Sequence, residues 1–126
     1  MRASGRDWKV VVRNPLKEMD GEALEYITLT NGMAVATSGG YEQFHEKDGV
    51  RYCHIIDPCT GYPAQGVEQV TVIAKDAMTA DALSTACFVL GAEASKKALA
   101  ECGASALFVL KNPDGSLRIE RVGDFW

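Results

Sequence analysis

The sequence lacks the features of several large functional classes. No apolar run approaches the roughly 20 residues that cross a bilayer, and residues 1–7 contain no apolar segment of a secretory signal. The sequence contains no C-x-x-C pair, so a zinc or thioredoxin-type site is not expected. The 13 basic residues are scattered and the net charge is -4, which argues against a nucleic-acid surface. We therefore expect a soluble chain that itself contacts neither nucleic acid nor membrane.

The remaining composition is that of an ordinary globular protein. Hydrophobic residues make up 47% of the chain and charged residues 24%, with no repeat or low-complexity segment. A chain of 126 residues can bury one core without disulfides or metals. We expect residues 1–126 to form a single domain.

Four cysteines are present, and none has the spacing of a metal site. Cys87 and Cys102 fall at apolar positions of a helical pattern, so we expect both to be buried. Cys53 precedes His54, but adjacent side chains on a strand point to opposite faces, which disfavours a Cys–His catalytic pair. Cys59 follows the same stretch that Cys53 precedes. Four thiols in a chain of this length slightly favour a reducing compartment.

The first half of the chain is predicted to form strands. Their predicted ranges are 7–13, 26–30, 33–38, 50–56 and 67–74, the last of them half-buried. Asn31-Gly32 is typical of a type I′ turn, so it predicts a hairpin between the second and third strands. Residues 16–23 and the charged segment 41–49, which ends in an Asp48-Gly49 turn, are predicted to be connectors.

From Met78 the hydrophobic period changes to that of a helix. Helices are predicted over 78–90, ended by Gly91, and over 92–102, ended by Gly103; the first is apolar nearly all round and should be buried. Strands over 104–110 and 117–122 follow. Because strands and helices are segregated, the expected class is α+β, a largely antiparallel sheet with two consecutive helices packed on it.

Asp81 and Thr85 are four residues apart in the first predicted helix. This spacing places both oxygens on one face, and two hard oxygen ligands suit magnesium or calcium better than zinc. The alternative is a local role, in which Asp81 favours the positive end of the helix and Thr85 bonds back to a carbonyl. Spacing alone favours the local role.

The segment 54–63 places an imidazole, a carboxylate and a hydroxyl around a turn. His54 ends a predicted strand, and its imidazole is suited to proton transfer near neutral pH. Asp57 could orient His54, bind a ligand hydroxyl, or begin the turn before Pro58. Taken alone, Asp57-Pro58 and Thr60-Gly61 favour a structural turn.

Ser38-Gly39-Gly40 could bring backbone amides near a phosphate. Neither G-x-G-x-x-G nor G-K-[ST] follows, so a tight turn is favoured.

Four motifs follow one another along the chain. They are A-T-S-G-G-Y at 36–41, H-I-I-D-P-C-T-G-Y-P at 54–63, V-T-V-I-A at 70–74 and A-D-A-L-S-T-A at 80–86. In this order they resemble the carboxy-terminal half of the ApbE family, the FAD:protein FMN transferases formerly called thiamine-biosynthesis lipoproteins. The resemblance covers the chain from about Trp8 onwards and implies an ApbE-like fold.

The resemblance implies a magnesium-dependent enzyme that transfers FMN from FAD to a threonine hydroxyl of a partner flavoprotein and releases AMP. It implies that Asp81 and Thr85 bind Mg2+, with Ser84 as an additional ligand. It also implies that His54 lies against FAD and is the base for the incoming threonine, and that Ile55 contacts the nucleotide.

The same resemblance assigns further residues to the FAD site, namely Ser38, Asp57, Thr60 and Gly61. One departure concerns Gly40, where the family usually has Asp or Asn. Two alternative functions stay open, an FAD pyrophosphatase in which water replaces the threonine, and a non-catalytic FAD-binding module.

The family's amino-terminal half has no match in this sequence. That half supplies much of the FAD pocket, a further magnesium ligand and usually a lipoprotein signal. We therefore expect a partial chain that is incomplete as an enzyme and exposes an apolar face normally covered. Full-length members are expected to be exported and lipid-anchored at the cell envelope.

Overall fold

The computed structural model describes residues 6–15, 22–30, 32–41 and 43–126. In chain order they form β1 (Trp8–Arg13), β2 (Ala23–Leu29), β3 (Ala34–Gly39), β4 (Phe44–Lys47), β5 (Val50–Cys53), β6 (Val67–Ala74), α1 (Ala77–Glu101), β7 (Ser105–Lys111) and β8 (Leu117–Val122). Every strand pair among them is antiparallel. The predicted α+β class is confirmed.

A four-stranded sheet in the order β3-β6-β7-β8 forms the middle layer. Val70 and Val72 of β6 and Phe108 of β7 pack in the same core as Phe88 of α1. Ile73 belongs to a second core on the opposite face of the sheet. β6 is therefore buried on both faces, rather than half-buried as predicted, because a further layer covers the side away from α1.

That further layer is the two-stranded ribbon β1–β2. Val12 of β1 and Ile27 of β2 pack against Ile73 of the central sheet, and Phe125 and Trp126 add to the same cluster. The predicted first strand is confirmed, one residue shorter than expected. The predicted connector 16–23 lies mostly outside the described residues.

The predicted hairpin between the second and third strands is wrong. The chain does turn there, since the Thr30 carbonyl accepts a hydrogen bond from the Met33 amide at 3.2 Å, although Asn31 itself lies outside the described residues. However, β2 pairs with β1, and β3 pairs with β6. Pairing with β6 places Ala34 and Ala36 against the main core, so burial across the whole fold decides the partner.

The predicted connector 41–49 contains β4, a strand that the sequence did not predict. It pairs with β5 through the predicted Asp48-Gly49 turn, in which both residues have positive φ, 53° and 77°. Three of its four residues are exposed, so β4 carries no hydrophobic alternation. β5 ends at Cys53 rather than at Ile56, because the backbone turns at His54.

Helix α1 has a defined cap at each end. The carboxylate of its N-cap, Asp76, accepts hydrogen bonds from the amide and the hydroxyl of Thr79, both at 2.8 Å, and these bonds lower the pKa of Asp76. At the other end the Ala104 amide donates to the Leu99 carbonyl at 2.9 Å across Gly103, which has a φ of 59°. None of the described residues forms a helix long and apolar enough to cross a membrane.

α1 consists of two consecutive helical segments separated by a break at Gly91, close to the helices predicted over 78–90 and 92–102. Gly91 has φ 80° and ψ 172°, a conformation that is almost restricted to glycine. The first segment is not buried all round, since Met78 is 82% and Leu90 53% exposed. Cys87 is buried as predicted, but Cys102 is exposed because it is the C-cap residue, where the helix leaves the core.

We expect Gly91→Ala to lower the free energy of unfolding by about 1–3 kcal/mol. Nothing lies within 4 Å of the position that a Cβ would take at Gly91, so the loss would come from backbone strain and not from a clash. Urea unfolding followed by circular dichroism measures it. Gly103→Asn is the matched control, because asparagine tolerates a φ of 59°. Equal losses in the two variants would contradict this explanation.

Candidate functional site

Ser38 lies on the face of the central sheet that packs against α1. Ser38 and Gly39 are the last residues of β3 and pair with Val70 and Gln69, so the tight turn predicted here is wrong. Ala36 packs in the core beneath α1, and Ser38, two residues further along the strand, faces the same side. The strand thus presents a hydroxyl to the helix.

Three hydroxyl groups meet between β3 and α1. The Oγ of Ser38 is 2.8 Å from the Oγ of Ser84 and 3.3 Å from the Oγ1 of Thr85. The Oγ of Ser84 also donates to the backbone carbonyl of Asp81 at 2.8 Å. Residues of two predicted motifs, separated by more than 40 positions in the sequence, are therefore in contact.

Asp81 and Thr85 are both exposed, one turn apart on α1. Asp81 is the fifth residue of the helix, beyond the first turn, where the helix dipole has little effect. The hydroxyl that bonds back to the helix is that of Ser84, and Thr85 instead contacts Ser38. These contacts disfavour the local explanation that spacing alone suggested.

The donor set at this point of α1 fits a hard cation. A carboxylate and an exposed hydroxyl suit Mg2+, which is usually held by one or two carboxylates together with waters and phosphates. Ser84 does not fit the predicted ligand role, because it is fully buried and its Oγ already bonds Asp81 and Ser38. In the part of the chain that the structure describes, no three His, Cys, Asp or Glu side chains are grouped as a metal site.

His54 is exposed just after β5, with its ring fixed by the backbone. Its amide nitrogen and its Nδ1 are each 3.2 Å from the carbonyl oxygen of Gln43. Since a carbonyl can only accept, this contact requires a proton on Nδ1, so the neutral ring carries its lone pair on Nε2. The lone pair of Nε2 is then available to take up a proton.

The loop that follows His54 is held by its own polar groups. The Asp57 carboxylate accepts from the Cys59 amide at 2.9 Å, and the Asp57 carbonyl accepts from the Gly61 amide at 2.8 Å. The Thr60 hydroxyl accepts from the Tyr62 amide at 3.2 Å, and Gly61 has a φ of 72°. In this structure the three predicted residues shape the turn, and their contacts with a nucleotide stay a prediction.

Ile55 and Ile56 face opposite ways. The Ile55 side chain is buried in the main core, and its carbonyl accepts from the Ala64 amide at 3.0 Å. Its contact with the nucleotide stays a prediction. Ile56 is 48% and Tyr62 68% exposed on the loop. Neither residue is among the predicted site residues, although strand alternation after His54 could have indicated Ile56.

A cavity of about 400 Å3 lies elsewhere, with Gly40, Arg51 and Lys111 in its lining. Its lining does not include His54 or Asp81, so these predicted site residues do not face this cavity. A Cβ at Gly40 would stand 3.2 Å from the Cβ of Cys53. An aspartate or asparagine at this position, as the resemblance implied for the family, would therefore require Cys53 to shift.

Comparisons with known proteins agree with one another. A sequence model of the ApbE family matches residues 1–108. A FAD:protein FMN transferase of Treponema pallidum is 46% identical over 114 residues, which is 89% of this chain and 30% of that relative. One from Vibrio cholerae is 37% identical over 116 residues, 91% of this chain and 34% of the relative.

Solved structures give the same result. The crystal structure of the ApbE protein of Thermotoga maritima matches with a TM-score of 0.76 and 48% identity, over 92% of this chain and 36% of that one. The flavin transferase ApbE of Vibrio cholerae matches with a TM-score of 0.74 and 36% identity, over 94% of this chain. The chain thus spans about a third of these relatives, between 30% and 36% of their length.

Proposed function

Because the chain belongs to the ApbE family, we propose that it is the part of a magnesium-dependent flavin transferase that carries the cation ligands and the base. The complete enzyme would move FMN from FAD to a threonine hydroxyl of a partner flavoprotein and release AMP. One observation carries the proposal: the separate motifs containing Ser38 and Thr85 meet beside the exposed carboxylate of Asp81.

Asp81 and Thr85 would hold the cation. A magnesium ion bound there would offset negative charge on the pyrophosphate of FAD as the bond between the two phosphates breaks. The chain contributes one carboxylate and one hydroxyl, and such a partial ligand set leaves positions for phosphate oxygens and waters. This composition supports binding of a nucleotide together with the metal.

His54 would act on the acceptor. The threonine oxygen forms a bond to the phosphorus of the FMN half, the bond from that phosphorus to the bridging oxygen breaks, and AMP leaves with that oxygen. The threonine proton passes to Nε2 of His54. The Gln43 carbonyl, which is 3.2 Å from Nδ1, then stabilises the charged imidazolium.

The loop after His54 would support the flavin. Asp57, Thr60 and Gly61 fix the turn through the bonds described above, which keeps the loop beside His54 in one conformation. The exposed side chains of Ile56 and Tyr62 offer an apolar surface that suits a flat ring system.

The test is a hybrid in which this chain replaces the matching third of the Treponema pallidum relative. With FAD, Mg2+ and an acceptor flavoprotein, the folded hybrid should release one AMP for each FMN attached to the acceptor. AMP is measured by chromatography, and attached flavin by in-gel fluorescence and the mass of the threonine peptide.

Two outcomes would contradict the proposal. Release of free FMN and AMP at the same rate without acceptor would favour an FAD pyrophosphatase. Binding of intact FAD with no AMP, at any Mg2+ concentration, would favour a binding module.

A further inference from the structure

The hydroxyl groups between β3 and α1 form a chain with a fixed direction. The Ser84 proton is committed to the Asp81 carbonyl, because a carbonyl only accepts. The 2.8 Å bond between Ser84 and Ser38 must therefore be donated by Ser38. The Ser38 proton is then used as well, so the 3.3 Å contact must be donated by Thr85.

This direction determines what Thr85 presents to solvent. Its proton points inward to β3, so its remaining lone pairs point outward on the exposed side of α1. A hydroxyl ligates a cation through a lone pair, so a proton directed away from solvent is the suitable arrangement. Ser84 has no such freedom, because it is fully buried.

Within a helix, a threonine side chain can adopt a second rotamer that competes with the one seen for Thr85. Threonine in a helix divides between two rotamers, since its hydroxyl can bond back to the carbonyl four residues earlier. For Thr85 that carbonyl belongs to Asp81 and already accepts the Ser84 hydroxyl. Ser38 supplies a different acceptor from a neighbouring strand and so favours the other rotamer.

We propose that Ser38 is a positioning residue that sets the side-chain rotamer of Thr85 and turns the lone pairs of its hydroxyl outward. This role differs from the direct nucleotide contact that the resemblance implied for Ser38. The identity of the cation rests on the proposed function, whereas the hydroxyl chain does not depend on it.

The first experiment measures the Thr85 rotamer by NMR, without any metal. Three-bond couplings across the Thr85 side chain should indicate one χ1 rotamer in the unmodified chain and averaging in Ser38→Ala. The matched control is Thr37→Ala, which removes a hydroxyl bond to Thr71 from the opposite face of β3. Couplings that are unchanged in Ser38→Ala, or equally changed in Thr37→Ala, would overturn the proposal.

The second experiment measures binding of Mn2+ as a probe for Mg2+, by the electron paramagnetic resonance signal of the free ion. Ser38→Ala should weaken binding by about three- to tenfold, the effect of one modest hydrogen bond. In the Thr85→Val background the same change should have no effect, because no hydroxyl is left to orient.

The outcomes separate this proposal from the proposed function. An equal loss of Mn2+ binding in both backgrounds would make Ser38 merely structural and overturn the proposal. If the Thr85 rotamer responds to Ser38→Ala while the unmodified chain and the hybrid bind no Mn2+, the positioning role stands and the cation site of the proposed function fails.

Discussion

Asp81→Asn reduces magnesium-dependent FMN transfer by the hybrid by about a thousandfold or more, which is the result we expect from losing the charged ligand of the cation. Asparagine keeps the size and one oxygen of the side chain but removes its negative charge. Asp81 is exposed and lies beyond the first turn of α1, so the substitution should leave the fold and its melting temperature nearly unchanged.

The matched control is Glu93→Gln on the same helix. Glu93 is exposed and forms an ion pair with Lys96, and such surface pairs contribute little to stability. Release of AMP, flavin on the acceptor and Mn2+ binding are measured for both variants. A folded Asp81→Asn hybrid that keeps more than a tenth of the transfer rate would rule out Asp81 as a cation ligand.

The parts of the fold that the sequence predicted are those set by local patterns. The boundaries of β6 and β8 and the break at Gly91 follow from hydrophobic period and from glycine. The partner of β3 depends on burial across the whole chain, and so the Asn31-Gly32 turn predicted the wrong pairing. β4 was missed because an exposed strand carries no hydrophobic alternation.

The features of the candidate site likewise divide into those that local sequence patterns predict and those that depend on tertiary contacts. The shared face of Asp81 and Thr85 follows from helical spacing alone. The contact of Ser38 with Ser84 and Thr85 requires β3 to lie against α1, which no local pattern encodes. The difference between buried Ile55 and exposed Ile56 depends on where β5 ends, and strand ends are set by tertiary contacts.

His54→Gln should slow FMN transfer by about 100- to 10,000-fold, the usual effect of removing a general base. Glutamine has similar size and can donate to the Gln43 carbonyl, but it cannot take up a proton from threonine. Binding of FAD should change little, because the loop is held by Asp57 and Thr60 and not by the imidazole. The measurements are single-turnover transfer rates and FAD affinity of the hybrid.

Chemical rescue by added imidazole distinguishes a general base from a residue that merely packs against the substrate. In His54→Ala the ring is absent, so added imidazole should restore part of the transfer rate, whereas it should do nothing for His54→Gln, whose side chain fills the space. The chain has 2 histidines, and His45, exposed on β4 opposite Tyr52, is the matched control. His45→Gln should transfer FMN at the unmodified rate. Two results would exclude His54 as the base: an equal loss of transfer rate in His54→Gln and His45→Gln, or a full transfer rate in His54→Gln. The threonine proton would then have to leave through another group of the complete enzyme.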